Sequence, residues 1–126
     1  MPSVVDRPAC EAKAELFKAL GHPVRIRVLE LLASGELTMG ELAEQTGVEL
    51  SHLSQHVSTL RRAGVVDSRR VKTTVLCRLR DPQMAELLGV ARRLISANLR
   101  QSQVLLAALD DADDALPAGE AAAVTA

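Results

Sequence analysis

The sequence predicts a mainly helical fold that carries one small β-hairpin. Three observations support this. Apolar residues recur at helical spacing through most of residues 9–63, glycines at 21, 35, 47 and 64 punctuate the segments, and beyond Gly64 the pattern shortens to strand-like runs. A length of 126 residues is about one domain. A composition of 48% apolar and 25% charged residues is that of a globular chain rather than a disordered one.

Residues 1–8, broken by Pro2 and Pro8, read as a flexible arm, and residues 9–109 as the folded domain. Ala12, Leu16, Phe17 and Leu20 mark a first helix over 9–20, which Gly21 stops. Pro23 suits the first position of a second helix that reaches Ala33, with Val24, Val28, Leu29, Leu31 and Leu32 apolar. Thr38 caps a third helix over 39–45, and Glu41 three residues on completes a capping box. A fourth helix spans Leu50 to Ala63. Helix, short Gly-containing turn, helix is the helix-turn-helix arrangement. The runs 67–71 and 74–79, around a turn at Lys72-Thr73, predict a two-stranded hairpin.

The last helix is expected over 82–109, with a stripe of Met84, Leu87, Leu88, Ala91, Leu94 and Ile95. Some 28 residues at 1.5 Å each reach ~42 Å, more than so small a domain can cover. A second copy of the chain is the simplest cover, with the first and last helices forming a homodimer interface through Leu16, Phe17, Leu87, Leu88, Leu94 and Ile95. The plain alternative is a long solvent-exposed helix. Residues 110–126, acidic and Ala-rich, read as a disordered tail.

A net charge of −1 conceals an uneven distribution: residues 51–80 hold seven cations against the single carboxylate of Asp67. Such a block is either a solvated positive face or the footprint of a nucleic-acid surface. With no Trp or Tyr and only Phe17 aromatic, the chain lacks the platforms that stack single-stranded bases. No apolar stretch approaches the ~20 residues of a membrane span, and the N-terminus lacks a signal-peptide pattern. A cytoplasmic location without membrane contact is expected. The absence of a phosphate loop, nucleophile elbow or paired carboxylates in a plausible pocket argues against an enzyme.

On the fourth helix, ~100° per residue puts Leu53, Val57 and Leu60 on one face and Ser51, Gln55, Ser58 and Arg62 opposite. His52 and Thr59 take one shoulder and Ser54 the other, while His56 falls nearer the core edge. Glutamine can read adenine bidentately, Ser and His can meet bases or phosphates, and Arg61 and Arg62 can neutralise phosphates. The hairpin adds Arg69, Arg70 and Lys72 for flanking phosphates. This pattern predicts insertion into the major groove of double-stranded DNA. A winged-helix protein-interaction module is the rival reading, and the acid-free face of residues 51–62 argues against it.

The segments LFKALGHPVRIRVLELL (16–32), ELTMGELAEQTGV (36–48), LSQHVSTLRRAGVV (53–66) and LCRL (76–79), in this order and spacing, resemble the ArsR/SmtB family of winged helix-turn-helix regulators. The resemblance covers roughly residues 9–109. It implies a homodimeric bacterial transcription factor, most often a repressor released from a palindromic operator by a metal, oxidant or other signal. It also implies that Ser54, Gln55 and His56 lie at the DNA-contacting segment. Two departures stand out. Arg70-Val71-Lys72-Thr73 replaces a Gly-containing wing tip, and Glu49 occupies a position where a Ser-like cap is common.

The family's metal sites are not intact. Glu36-Leu37-Thr38-Met39-Gly40 lacks both thiols of one, and Asp81, Gln83, Leu94 and Ala97 retain only one potential ligand of the other. No cofactor is required and no metal ligand set is assigned. A regulatory divalent metal (Ni, Zn or Co) at a non-standard site stays open, as does a separate sensory partner protein. His52 and His56 are four apart, a spacing that can chelate, but their position favours DNA. His22 is assigned to the helix junction. Cys10 and Cys77 are expected to be free thiols in a reducing cytosol, with a redox switch as the alternative.

Overall fold

The computed structural model describes residues 7–115, with side chains for 7–112. Residues 1–6 of the expected arm and 116–126 of the expected tail lie outside that range. The elements are α1 (Arg7–Leu20), α2 (Pro23–Leu32), β1 (Leu37–Thr38), α3 (Met39–Thr46), α4 (Leu50–Arg62), β2 (Val66–Val71), β3 (Thr74–Leu79) and α5 (Gln83–Ala115).

Two helix ends and the sheet differ from expectation by more than a residue. Helix α1 begins at Arg7, so Pro8 sits inside its first turn, where a missing N–H costs nothing. Helix α5 continues six residues past Leu109 to Ala115, because the aspartates there are interleaved with alanine, the strongest helix former. The start of the acidic segment is therefore helical. The hairpin is also part of a three-stranded antiparallel sheet of order β1-β3-β2, with Leu37 opposite Cys77 and Thr38 opposite Leu76. The hairpin pairs Val66 with Leu79 through to Val71 with Thr74.

The chain forms two units, one through Leu88 and one from Gly89 onward. The first is built on Leu20, Val28, Leu29, Leu32, Leu42, Leu53, Val57, Leu60, Val65, Val66 and Cys77. All three inward residues expected on α4 are here. Leu53 and Leu60 are fully buried, so truncating either to Ala would cost about 2–5 kcal/mol.

Local signals fix the ends of the elements. Thr38 Oγ1 accepts the Glu41 N–H at 3.1 Å and the Glu41 carboxylate accepts the Thr38 N–H at 3.1 Å, closing the capping box. Gly47 ends α3 in the left-handed region at φ 71°. Glu49 makes no side-chain cap to α4. His22 caps α2, its Nδ1 accepting the Val24 N–H at 3.1 Å, as its place at the junction suggested.

Of the expected interface residues, Leu16, Leu87 and Leu88 are half-buried and pack against the core of their own unit. Phe17 (56% exposed) on α1 stays open, as do Leu94 (62%) and Ile95 (60%) in the second unit. Leu99, Val104, Leu105 and Leu106 continue that exposed apolar series along α5.

Candidate nucleic-acid interface

Helix α4 presents the expected polar face. Ser51, His52, Ser54, Gln55, Arg61 and Arg62 are exposed, and Ser58 and Thr59 are half-buried. Several hydroxyls and cations are already tied to one another. Thr59 Oγ1 donates to the Gln55 carbonyl at 3.1 Å and accepts from Arg62 Nη2 at 3.4 Å. Arg61 donates to Ser68 Oγ on β2 at 3.0 Å and to Ser58 Oγ at 3.4 Å, linking helix and wing. Gln55, at the centre of the face, keeps its side-chain amide without a partner among the described residues.

The wing sorts its cations by strand alternation. Arg70 shares a face with Val66 and Ser68, the face toward α4, and has no partner among the described residues. Arg69 points the other way and pairs with Glu36 at 3.3 Å. Asp67, the one acid in the basic block, accepts from Arg80 at 2.9 Å and lies 3.7 Å from Arg78. These ion pairs brace the base of the wing and leave Arg70 and Lys72 at its tip. Without glycine the tip closes on Lys72 at φ 58°, a left-handed conformation in a two-residue turn.

His56 departs from the other α4 residues. It is half-buried, its ring stacks on His22 with centroids 4.3 Å apart, and its Nδ1 lies 3.4 Å from Arg25 Nη1 on α2. Since a guanidinium only donates, Nδ1 must accept, which requires a neutral ring. Burial lowers the His56 pKa, and the nearby His22, Arg25 and His52 act in the same direction. Both His56 and Arg25 thus serve the junction of α2 and α4. Sequence reading placed His56 near the core edge but missed Arg25, because nothing local connects residues 31 apart.

The thiols are unlike each other. Cys10 is exposed, whereas Cys77 is fully buried with its Sγ 3.5 Å from Met39 Sδ. Burial raises the Cys77 pKa against a weaker opposing pull from Arg61. Both thiols are free, as expected, and the wing thiol of the alternative redox reading is buried in the core. Alternation with Val75 and Leu79 on β3 would have placed it there. Asp81, the one surviving ligand of a family metal site, caps α5 by accepting the Gln83 N–H at 2.9 Å. Among the described residues no three His, Cys, Asp or Glu side chains gather to hold a metal, and no helix is long and apolar enough to cross a membrane.

A helix-turn-helix with a polar second helix beside a cationic hairpin defines a winged-helix DNA-binding regulator. Comparisons with known proteins agree. A model described as a helix-turn-helix domain matches residues 20–69. The HTH-type transcriptional regulator Rv0081 of Mycobacterium tuberculosis is 44% identical over 100 residues, covering 79% of this chain and 88% of its own length. Its crystal structure superposes with a TM-score of 0.71 over 75% of this chain and 96% of that one, at 45% identity. The homodimeric winged helix-turn-helix DNA-binding domain of Mb0332 from Mycobacterium bovis, described as a possible ArsR-family regulator, gives a TM-score of 0.69 at 29% identity, over 80% and 95% of the two chains. The biofilm growth-associated repressor of Xylella fastidiosa is 35% identical over 89 residues, 71% of this chain and 78% of its own. The chain belongs to the ArsR/SmtB family of winged helix-turn-helix transcriptional regulators.

Proposed function

We propose that this regulator is a cytoplasmic repressor that binds an imperfect palindrome as a homodimer, each α4 entering one major groove. The observation that carries the reading is the α4 face itself: Ser51, Ser54 and Gln55 stand exposed, with no acidic residue from Leu50 to Arg62. Gln55 reads base edges, Ser51, His52, Ser54, Thr59, Arg61 and Arg62 hold bases or phosphates, and Arg70 and Lys72 reach flanking phosphates. His56 supports the helix from behind, and Arg69 stays with Glu36. The exposed Phe17, Leu94 and Ile95 supply apolar area for a second copy of the chain, and homodimeric assembly of the Mb0332 domain supports that occupant.

The test is a titration of labelled upstream duplex by fluorescence anisotropy, with a random duplex as control and salt varied. Tight binding with a preference of ~10³ or more for the upstream site and a steep loss with salt fits the proposal. Equal affinity for both duplexes would overturn sequence recognition, and no retention of either would overturn DNA binding. Repeating the titration with Ni²⁺, Zn²⁺, Co²⁺, chelator and oxidant identifies any effector as a tenfold or larger shift.

A further inference from the structure

Between α1, α2 and α4, on the flank of the recognition helix, lies an open cleft of about 430 Å³. This volume falls within the ~300–1,000 Å³ of small-molecule sites. Lys18, Arg25 and Arg62 line it together with Thr59, and Glu15 is the only acid in the lining. Three cations thus share the cleft with one carboxylate, and among the described residues Glu15 makes no salt bridge with any of them.

Arg25 alone of the three holds a buried donor without a partner among the described residues. Only Nη1 has a partner, His56 Nδ1, while Nε is buried with none and Nη2 makes no hydrogen bond among the described residues. A guanidinium offers five donors in a planar fork matched to the oxygens of carboxylates and phosphates. The buried Nε faces away from solvent, so the Nη2 edge is the part of this guanidinium left to meet an anion in the cleft. Arg62 belongs both to this lining and to the outward face of α4, so the cleft opens beside the proposed DNA surface.

We propose that Lys18, Arg25 and Arg62 form a phosphate-binding cleft that adjoins the DNA-reading face of α4. The phosphate is either a backbone group of the bound duplex or a free phosphate anion that competes with it. The first source rests on the DNA-binding reading above, and the second does not.

The experiment compares wild type with Arg25→Gln and Lys18→Gln in the full chain. Inorganic phosphate binding is followed by calorimetry at fixed ionic strength against chloride, and the salt dependence of DNA affinity is measured in parallel. Lys18→Gln guards against a folding effect, since Lys18 has no part in the His56 contact. If the duplex supplies the phosphate, each variant lowers the salt slope by about one, and Lys18→Gln does so with the melting temperature unchanged. If the anion is free, wild type binds inorganic phosphate, each variant weakens that binding at least fivefold, and phosphate lowers DNA affinity only in wild type. Slopes and phosphate binding that match wild type in both variants would overturn the cleft while leaving DNA recognition intact. Variant-sensitive phosphate binding by a protein that holds no DNA would establish the cleft and overturn the DNA reading instead.

Discussion

The ring of His56 on the recognition helix lies against the ring of His22 at the start of α2, with centroids 4.3 Å apart and planes inclined by 41°. Each ring accepts a hydrogen bond through Nδ1, His22 from the Val24 N–H and His56 from Arg25. The His56 ring therefore ties α4 to α2 by accepting from Arg25, and protonating its Nδ1 removes that contact.

Acid should loosen this joint. Burial, then His22, Arg25 and His52, lowers the His56 pKa below its ordinary value of about 6.5. Between the folded and unfolded pKa the unfolded chain holds more protons. The contribution is therefore complete above about pH 6.5 and is lost as pH falls through the folded pKa. Melting temperatures measured downward from about pH 7.5 should fall for wild type below that point. His56→Gln should show a smaller fall, and an identical profile would remove His56 as the cause.

Gln55 and Arg70 should fail differently. Gln55→Ala should cost about 1–3 kcal/mol on the operator and almost nothing on random duplex, because only base contacts discriminate. Arg70→Ala should weaken both duplexes alike and lower the salt slope by about one. Anisotropy titrations at several salt concentrations separate the two.

At the wing tip, Lys72 holds a left-handed backbone conformation that costs a side-chain-bearing residue about 1 kcal/mol or more. Lys72→Gly should relieve that strain, offset in part by the greater unfolded-state entropy of glycine. A melting temperature equal to or above wild type is expected, with a salt slope for DNA smaller by about one. A clear loss of stability would show that the turn is unstrained.

The capping box offers a local test. Thr38→Ala removes the acceptor for the Glu41 N–H at the start of α3 and should cost about 1 kcal/mol in denaturant unfolding. Thr38→Ser keeps the oxygen and should restore most of that loss.

Periodicity carried far along this chain. The Leu53, Val57 and Leu60 face, the Thr38–Glu41 box and the hairpin register each rest on residues a few positions apart, so the sequence displays them directly. What it conceals depends on distant pairing. Strand β1 is only two residues long and shows no period; it exists because Leu37 meets Cys77 across the sheet. The Arg25–His56 contact and the Arg69–Glu36 pair, which withdraws a cation from the wing tip, likewise depend on elements far apart in sequence. At the far end of α5, helix propensity over 110–115 prevailed over an acidic composition that suggests disorder.

The contrast between the two cysteines also has a practical use. Cys77 is enclosed beside Met39 and Cys10 is exposed on the first turn of α1, so a maleimide dye should attach once per native chain. A sequence without Trp or Tyr then gains a fluorescent reporter with no engineered residue. Mixing donor- and acceptor-labelled molecules would let energy transfer count copies and time their exchange.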